Sequence, residues 1–297
     1  MNKSFTLIEI LVVIVVIGIL SSFILVSMNS ITTNADFTKR KAFSNSIRNA
    51  LLINLVSEWK LNEGSGQIAS DSWKENHGTL GSTSGIDVND PTWKTSEECV
   101  SYDCLSFDGS FDYVNFGNGE GSSPSSITVE AWFKSSGTLF DWATIINKGV
   151  QADNNHFWLH YMSGTGIRFE YGNGSARDRA VFNTTVITNR WYHVVGTYGN
   201  GYGYVYINGA RGAAQTSITG DLGANSYDVV IGRGSTSSAF YWNGYLDEIR
   251  FYGSAMPSSQ IQENYYSGLN KLMAKNIINS REFNQRIGEL KNNLTEQ

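Results

Sequence analysis

The chain has few prolines, few charges and few cysteines. Three prolines in 297 residues leave little scope for polyproline segments or a Pro-rich linker. Charged residues make up only 16%, and the formal net charge is −5. That balance argues against nucleic acid as the main partner and suits an uncharged ligand such as a glycan. The two cysteines, Cys99 and Cys104, lie in a polar stretch expected to be a surface loop. A zinc site would need two more ligands, and none is arranged nearby. A short disulfide loop is expected if the chain leaves the cytoplasm, with free thiols as the alternative. What the chain has in quantity is 30 glycines and 13% aromatics, a composition that suits tight turns and an all-β body.

The first thirty residues set the compartment. Met1 to Ser4 is a short basic leader, and an apolar run extends from Phe5 to Val26, broken by Glu9 and the Ser21-Ser22 pair. As a helix this run spans about 33 Å, enough to cross a bilayer core. A carboxylate in that setting is costly and asks for a functional partner. Beyond it, Phe43, Ile47, Leu51 and Leu55 recur at every fourth position among Lys39, Arg40, Lys41 and Arg48, which predicts a continuing amphipathic helix. The basic trio reads as a solvated face, with anionic lipid as the other contact. No glycine or proline separates Leu55 from Trp59, so helix passes into strand without a flexible linker.

After Val56 the pattern turns to strands: Ser126 to Phe133, His156 to His160, Trp191 to Val195, then Tyr204 to Ile207 running into the hairpin signal Asn208-Gly209. Strands without intervening helices imply a sandwich of antiparallel sheets. Trp132 and Trp191 are expected core anchors, and His193 a packed histidine. His156 and His160 share a strand face about 13 Å apart, too far to share a metal. Asp247 and Glu248 are adjacent, so a strand would send them to opposite faces, unlike the paired carboxylates of a glycosidase. Exposed aromatics and polar loops nominate Trp142, Asp153, Asn154, Asn155, Arg177, Asp178, Arg179, Tyr241 and Trp242 as ligand contacts. A helix opens at Pro257-Ser258 and is expected to end near Gly268. Leu269, Met273, Ile277, Phe283, Ile287, Leu290 and Leu294 then form the apolar stripe of a helical tail that packs on protein.

Two resemblances follow from these residues. Lys3-Ser4-Phe5-Thr6-Leu7-Ile8-Glu9 resembles the prepilin leader of type IV pilins and pseudopilins. It implies cleavage between Ser4 and Phe5 by a prepilin peptidase, N-methylation of Phe5, and pairing of Glu9 with the terminal amine of a neighbouring copy in a filament. Ser4 stands where the family usually has Gly, and Val26 where it often has Pro. The succession Trp59-Lys60-Leu61-Asn62-Glu63-Gly64, Asp71, Leu105 to Gly109, Val129 to Phe133, Tyr206 to Gly209 and Gly244 to Ile249 resembles the LamG-like, concanavalin A-like jelly rolls. A structural Ca²⁺ on Glu63, Asp71 and Asp247 is one implication, and turn-capping acids on a solvated edge are the other reading.

The expected organisation is a leader at 1–4, a pilin-like helix at 5–56 with a membrane-spanning first half, a β-sandwich at 57–268 and an amphipathic helical tail at 269–297. The fold class is mostly β with a long N-terminal α-helix and a C-terminal helix. The resemblance implies a pilus subunit, resident in the inner membrane before assembly and then displayed at the cell surface for adhesion or glycan binding, and the absence of a paired-carboxylate motif argues against an enzyme. The alternative is a pseudopilin of a secretion or DNA-uptake machine, with the sandwich as a docking module.

Processing and assembly give a direct test. Mass spectrometry of the mature protein should find a methylated Phe5 terminus, and Glu9→Ala should leave the chain inserted but unassembled. A terminus at Met1, or normal filaments from the variant, would contradict this.

Overall fold

The computed structural model describes residues 54–118, 125–150, 153–213, 218, 220–234 and 240–295. The leader, Ser4, Phe5, Glu9 and the helix expected at 5–56, up to residue 53, lie outside the described residues. Among the described residues, sixteen strands form two eight-stranded antiparallel sheets. The first sheet runs in the order β14 (Ala210–Arg211), β13 (Tyr202–Ile207), β12 (Trp191–Gly199), β7 (Ser126–Ser135), β16 (Asn243–Tyr252), β5 (Cys104–Asp108), β4 (Thr92–Lys94). Strand β1 (Leu55–Trp59) also pairs with β16. The second runs β11 (Arg177–Phe182), β10 (Gly166–Gly172), β9 (Phe157–Met162), β8 (Thr144–Lys148), β15 (Val229–Ile231), β6 (Val114–Asn115), β3 (Gly78–Leu80), β2 (Ile68–Ala69).

Alternation along the strands builds the core between the sheets. On β7, Ile127, Val129, Ala131 and Phe133 face inward and join the main core. Across the second sheet, register places Leu80, Val114, Ile231, Ile146, Leu159, Phe169 and Ala180 in one row, every member apolar and buried. Leu55 belongs to β1 and packs with Val195, Tyr252 and Ile261, so the helical spacing that ended on it is overruled by sheet pairing. The sandwich therefore begins two residues before the expected boundary at 57.

The other face of β7 carries Thr128, Glu130 and Trp132, and β12 offers Trp191 and His193 on the same side. These tryptophans are buried, as expected of anchors, but in a second core outside the sheet. Helix α1 (Ser258–Ala274), helix α2 (Ser280–Thr295) and the turn between them cover them with Tyr265, Leu269, Leu272, Ile278 and Leu290. Asn276, at φ +59°, ends α1, and the Asn279 side chain accepts the Glu282 N–H at 2.9 Å at the start of α2. The expected helix end at Gly268 is corrected: α1 runs through it. A Cβ at Gly268 would sit 2.0 Å from Cζ2 of Trp132, so the glycine is there for close packing and not as a cap.

The Cys99–Cys104 disulfide closes a loop that is part of this second core, with both cysteines fully buried where a surface loop was expected. Lys275 donates to the carbonyls of Ser96 (3.0 Å) and Cys99 (3.2 Å), tying the end of α1 to that loop. Beneath α1, Glu130 accepts from His193 Nε2 at 2.8 Å and from Asn264 Nδ2 at 3.0 Å. Burial pushes the Glu130 carboxyl up, but His193, Arg250 and Asn264 outweigh it and hold the group below its usual range.

Gly268→Ala tests this packing. Helix propensity alone would favour alanine by up to about 1 kcal/mol. The contact with Trp132 should reverse the sign and lower stability by about 1–3 kcal/mol, the usual cost of overpacking. A thermal melt showing a stabilised variant would mean that the Trp132 ring has room to move.

Candidate site on the outer face of the second sheet

Helices α1 and α2 pack on the first sheet, and no helix among the described residues covers the outer face of the second. Register draws one row across all eight strands: Ile68, Thr79, Asn115, Val230, Asn147, Trp158, Glu170 and Arg179. It lies one residue along from the apolar row and points the other way. Polar side chains dominate it.

Half of this face is roofed. The Trp142 ring stacks on His160 with centroids 4.9 Å apart and lies 5.4 Å from Trp158; Phe240 lies 5.6 Å from Trp158. Trp142 holds this position at φ +70°, an unusual conformation for a bulky residue. Trp158 Nε1 donates to Thr144 Oγ1 at 2.9 Å. Under the roof, Glu170 faces His160 Nε2 at 3.4 Å and His156 Nε2 at 3.9 Å, one histidine on each carboxylate oxygen. Burial raises the Glu170 carboxyl, but the two histidines outweigh it and hold it low.

The other half is open. One cleft of about 490 Å³ is lined by Thr79, Ser82, Thr83, Tyr113 and Asn115 among others. A second, of about 190 Å³, is lined by Asn147, Gly149, Ser226, Tyr227, Asp228, Val230 and Arg233. They adjoin, because Asn115 and Val230 are cross-strand partners and Asn115 Nδ2 donates to Asp228 Oδ2 at 2.8 Å. The Arg233 guanidinium lies 3.4 Å from the Tyr113 ring centroid, bridging the two. A narrower space of about 40 Å³ lies between the sheets, beside Trp59, Phe116 and Phe251.

The residues expected to contact ligand are divided. Trp142 forms the roof, Arg179 stands opposite Glu170 in the outer row, and Asp153 reaches the cleft by accepting the Tyr227 hydroxyl. Asn154 takes φ +52°, and the Asn155 backbone carbonyl accepts from Asn225 Nδ2. Arg177 and Asp178 lie on edge strand β11. Tyr241 packs edge-on to Phe111 at 5.8 Å. Trp242 is corrected: it is fully buried between the sheets, edge-on to Phe133. Arg233, Tyr113, Asn115, Asn147 and Tyr227 were missed; polar residues alternating with apolar ones in Tyr113-Val114-Asn115 were the available signal.

The acids suggested for calcium are not brought together. Glu63 accepts the Ser70 N–H, Asp71 accepts the Glu58 and Trp73 N–H groups, and Asp247 is buried with the Ser101 N–H. Among the described residues no group of three or more His, Cys, Asp or Glu is placed to hold a metal ion. Asp247 and Glu248 do not point to opposite faces either. A register shift between Asp247 and Arg250, with Glu248 at φ +50°, leaves both beside the Cys99–Cys104 loop and α1, where Lys271 donates to Glu248 at 2.6 Å. Burial and the Glu248 charge push Asp247 well up, while Arg250 and Lys271 outweigh the burial of Glu248 and hold it at about 2.

Asp112, next to Tyr113, yields a test in pH. Burial, with Asp108 and Asp90 nearby, raises its carboxyl to about 7. A carboxyl raised on folding contributes fully below its unfolded value, and that contribution is lost as pH rises through the folded value. Asp112→Asn can still accept the Asp108 N–H and carries no charge. Its melting temperature should therefore gain on the parent's from about pH 4 to pH 7 and then hold level. A constant difference across that range would show that Asp112 ionises freely.

Comparison with known proteins places these features. A family model described as the concanavalin A-like lectin/glucanases superfamily (Laminin_G_3) matches residues 108–262, and the prokaryotic N-terminal methylation motif matches residues 1–25. No curated protein matches the chain. Among solved structures, domain 4 of AbnA, an extracellular arabinanase from Geobacillus stearothermophilus, aligns with TM-score 0.56 at 18% identity over 71% of this chain and 97% of that one. The botulinum neurotoxin serotype D binding domain aligns with TM-score 0.55 at 17% identity, over 75% of this chain and 53% of that one. A sialidase from Trypanosoma rangeli aligns with TM-score 0.52 at 14% identity, over 72% of this chain and 32% of that one. At these identities the likeness is one of fold. The chain belongs to the concanavalin A-like lectin/glucanase superfamily and carries, ahead of that domain, the N-terminal methylation motif of type IV pilin-like proteins.

Proposed function

We propose that the chain is a type IV pilin-like filament subunit that presents a glycan-binding β-sandwich at the cell surface. The observation that carries the ligand half is the outer face of the second sheet, which no helix among the described residues covers. It combines amide side chains, a tyrosine-backed arginine and adjoining clefts, the mix of apolar surface and directed polar groups that saccharides need. Similar folds are described in complex with arabinotriose and with N-acetylneuraminic acid. The filament half rests on the methylation motif. It implies membrane insertion, cleavage after Ser4 by a prepilin peptidase, and assembly of identical copies through Glu9. Adhesion is the role that joins the two halves.

The test uses full-length protein in detergent and assembled filaments. Both should bind members of a glycan array, and Asn147→Ala should weaken binding about tenfold, the effect of one lost directed hydrogen bond and its partner's desolvation. Absence of binding to any saccharide would remove the ligand half. Recovery of the protein only in short envelope-bound assemblies would favour a pseudopilin role.

A further inference from the structure

Arg233 is the feature of the open face that the sandwich does not explain. It follows Ile231-Gly232 at the end of β15 and is half-buried in the cleft with Asn147 and Tyr227. Its buried Nε has no hydrogen-bond partner among the described residues. Among the described residues no carboxylate pairs with its guanidinium. Arg190, Arg250 and Arg286 behave differently: each reaches a glutamate, at 2.8, 2.8 and 2.6 Å respectively. A guanidinium does not shed its proton in a protein, so an unpaired, partly desolvated one holds binding capacity in reserve. Tyr113 supports it from below, with 3.4 Å from the guanidinium carbon to the ring centroid. A cation held flat on a ring keeps its N–H groups pointing outward in plane, the geometry that meets a carboxylate with two parallel hydrogen bonds.

The opposite wall narrows the ligand. Asp228 lines the same cleft and has one oxygen on Asn115 Nδ2. A carboxylate there repels a polyanion but accepts from sugar hydroxyls. Asn147 lines the cleft with them, and its amide N–H donates to Gly149 O at 2.9 Å, so its carbonyl oxygen is the group it has to offer to hydroxyls. We infer that this cleft takes a sugar bearing a single carboxylate, such as a uronic or sialic acid residue, with the carboxylate on Arg233 and ring hydroxyls on Asp228 and Asn147. The inference rests on the glycan-binding reading of this face and specifies its ligand class.

The experiment titrates full-length protein in detergent with oligosaccharides ending in glucuronic acid or N-acetylneuraminic acid, with their methyl esters, and with the neutral parent oligosaccharides. The acids should bind at least about tenfold more tightly than the esters. Arg233→Gln should abolish that preference, and Arg233→Lys should restore only part of it, because the fork is lost while the charge remains. Circular dichroism and melting of both variants should match the parent. Equal binding of acid and ester, or an unchanged preference in Arg233→Gln, overturns the role of Arg233 while neutral-sugar binding leaves the glycan reading standing. No binding of acid, ester or parent overturns both.

Discussion

Two tryptophans on the wrong side of a sheet organise this structure. Trp132 and Trp191 project outward from the first sheet, and their apolar area must be taken out of water by something other than the second sheet. The chain after β16 supplies the cover as α1 and α2, and the loop closed by Cys99 and Cys104 fills the remaining gap. The cover in turn buries Glu130, His193, Asp247 and Glu248, which would be expensive alone. They are tolerable because Asn264, Arg250, Lys271 and the Ser101 N–H reach them. Apolar packing and polar pairing on this face depend on each other, since the helices that shield the tryptophans also carry Asn264 and Lys271.

Strands and their inward faces were readable because period-two alternation is a local property, visible in Ser126 to Phe133 without knowledge of any partner. The misreadings arose where a local signal has two physical causes. Gly268 looked like a helix end, but a glycine also lets a helix approach an indole, and Trp132 lies more than a hundred positions away. Leu55 continued a fourfold helical spacing and also fitted the first strand; pairing with Tyr252 decided it. Asp247 and Glu248 obey strand alternation only in a regular strand. β16 changes neighbours there, from β5 to β1, and the bulge falls at the change. Trp242 read as a loop aromatic because it precedes β16, yet its backbone N–H donates to Gly232 O at 2.8 Å and its ring enters the core.

The candidate site was less legible because it is a product of register. Thr79, Asn115, Asn147 and Arg179 come from four strands spread over a hundred residues, and nothing local marks them as neighbours. Loop composition singled out Asp153 and Trp142, which border the face, but not Arg233 or Tyr113, whose relation is a single ring contact across the sheet. The N-terminal motif is the reverse case. Its chemistry resides in a contiguous segment, Lys3 to Glu9, so it was readable from the sequence and matched by a family model over 1–25.

The two outer faces are under unequal constraint. On the first sheet's outer face a change at position 132 or 191, or at 268 in the helix that covers them, bears on helix packing next to the disulfide loop and a buried carboxylate network. On the second sheet the polar row is separated by one residue from the apolar row that forms the core, and much of it borders open clefts. Substituting Thr79, Asn115 or Arg179 alters what the face presents while leaving Leu80, Val114 and Ala180 in place, because alternation decouples the two sides of a strand. The sheet on which no described helix packs is therefore the one where binding chemistry can vary at small cost to the fold, and the helix pair is what confines the cost to the other side.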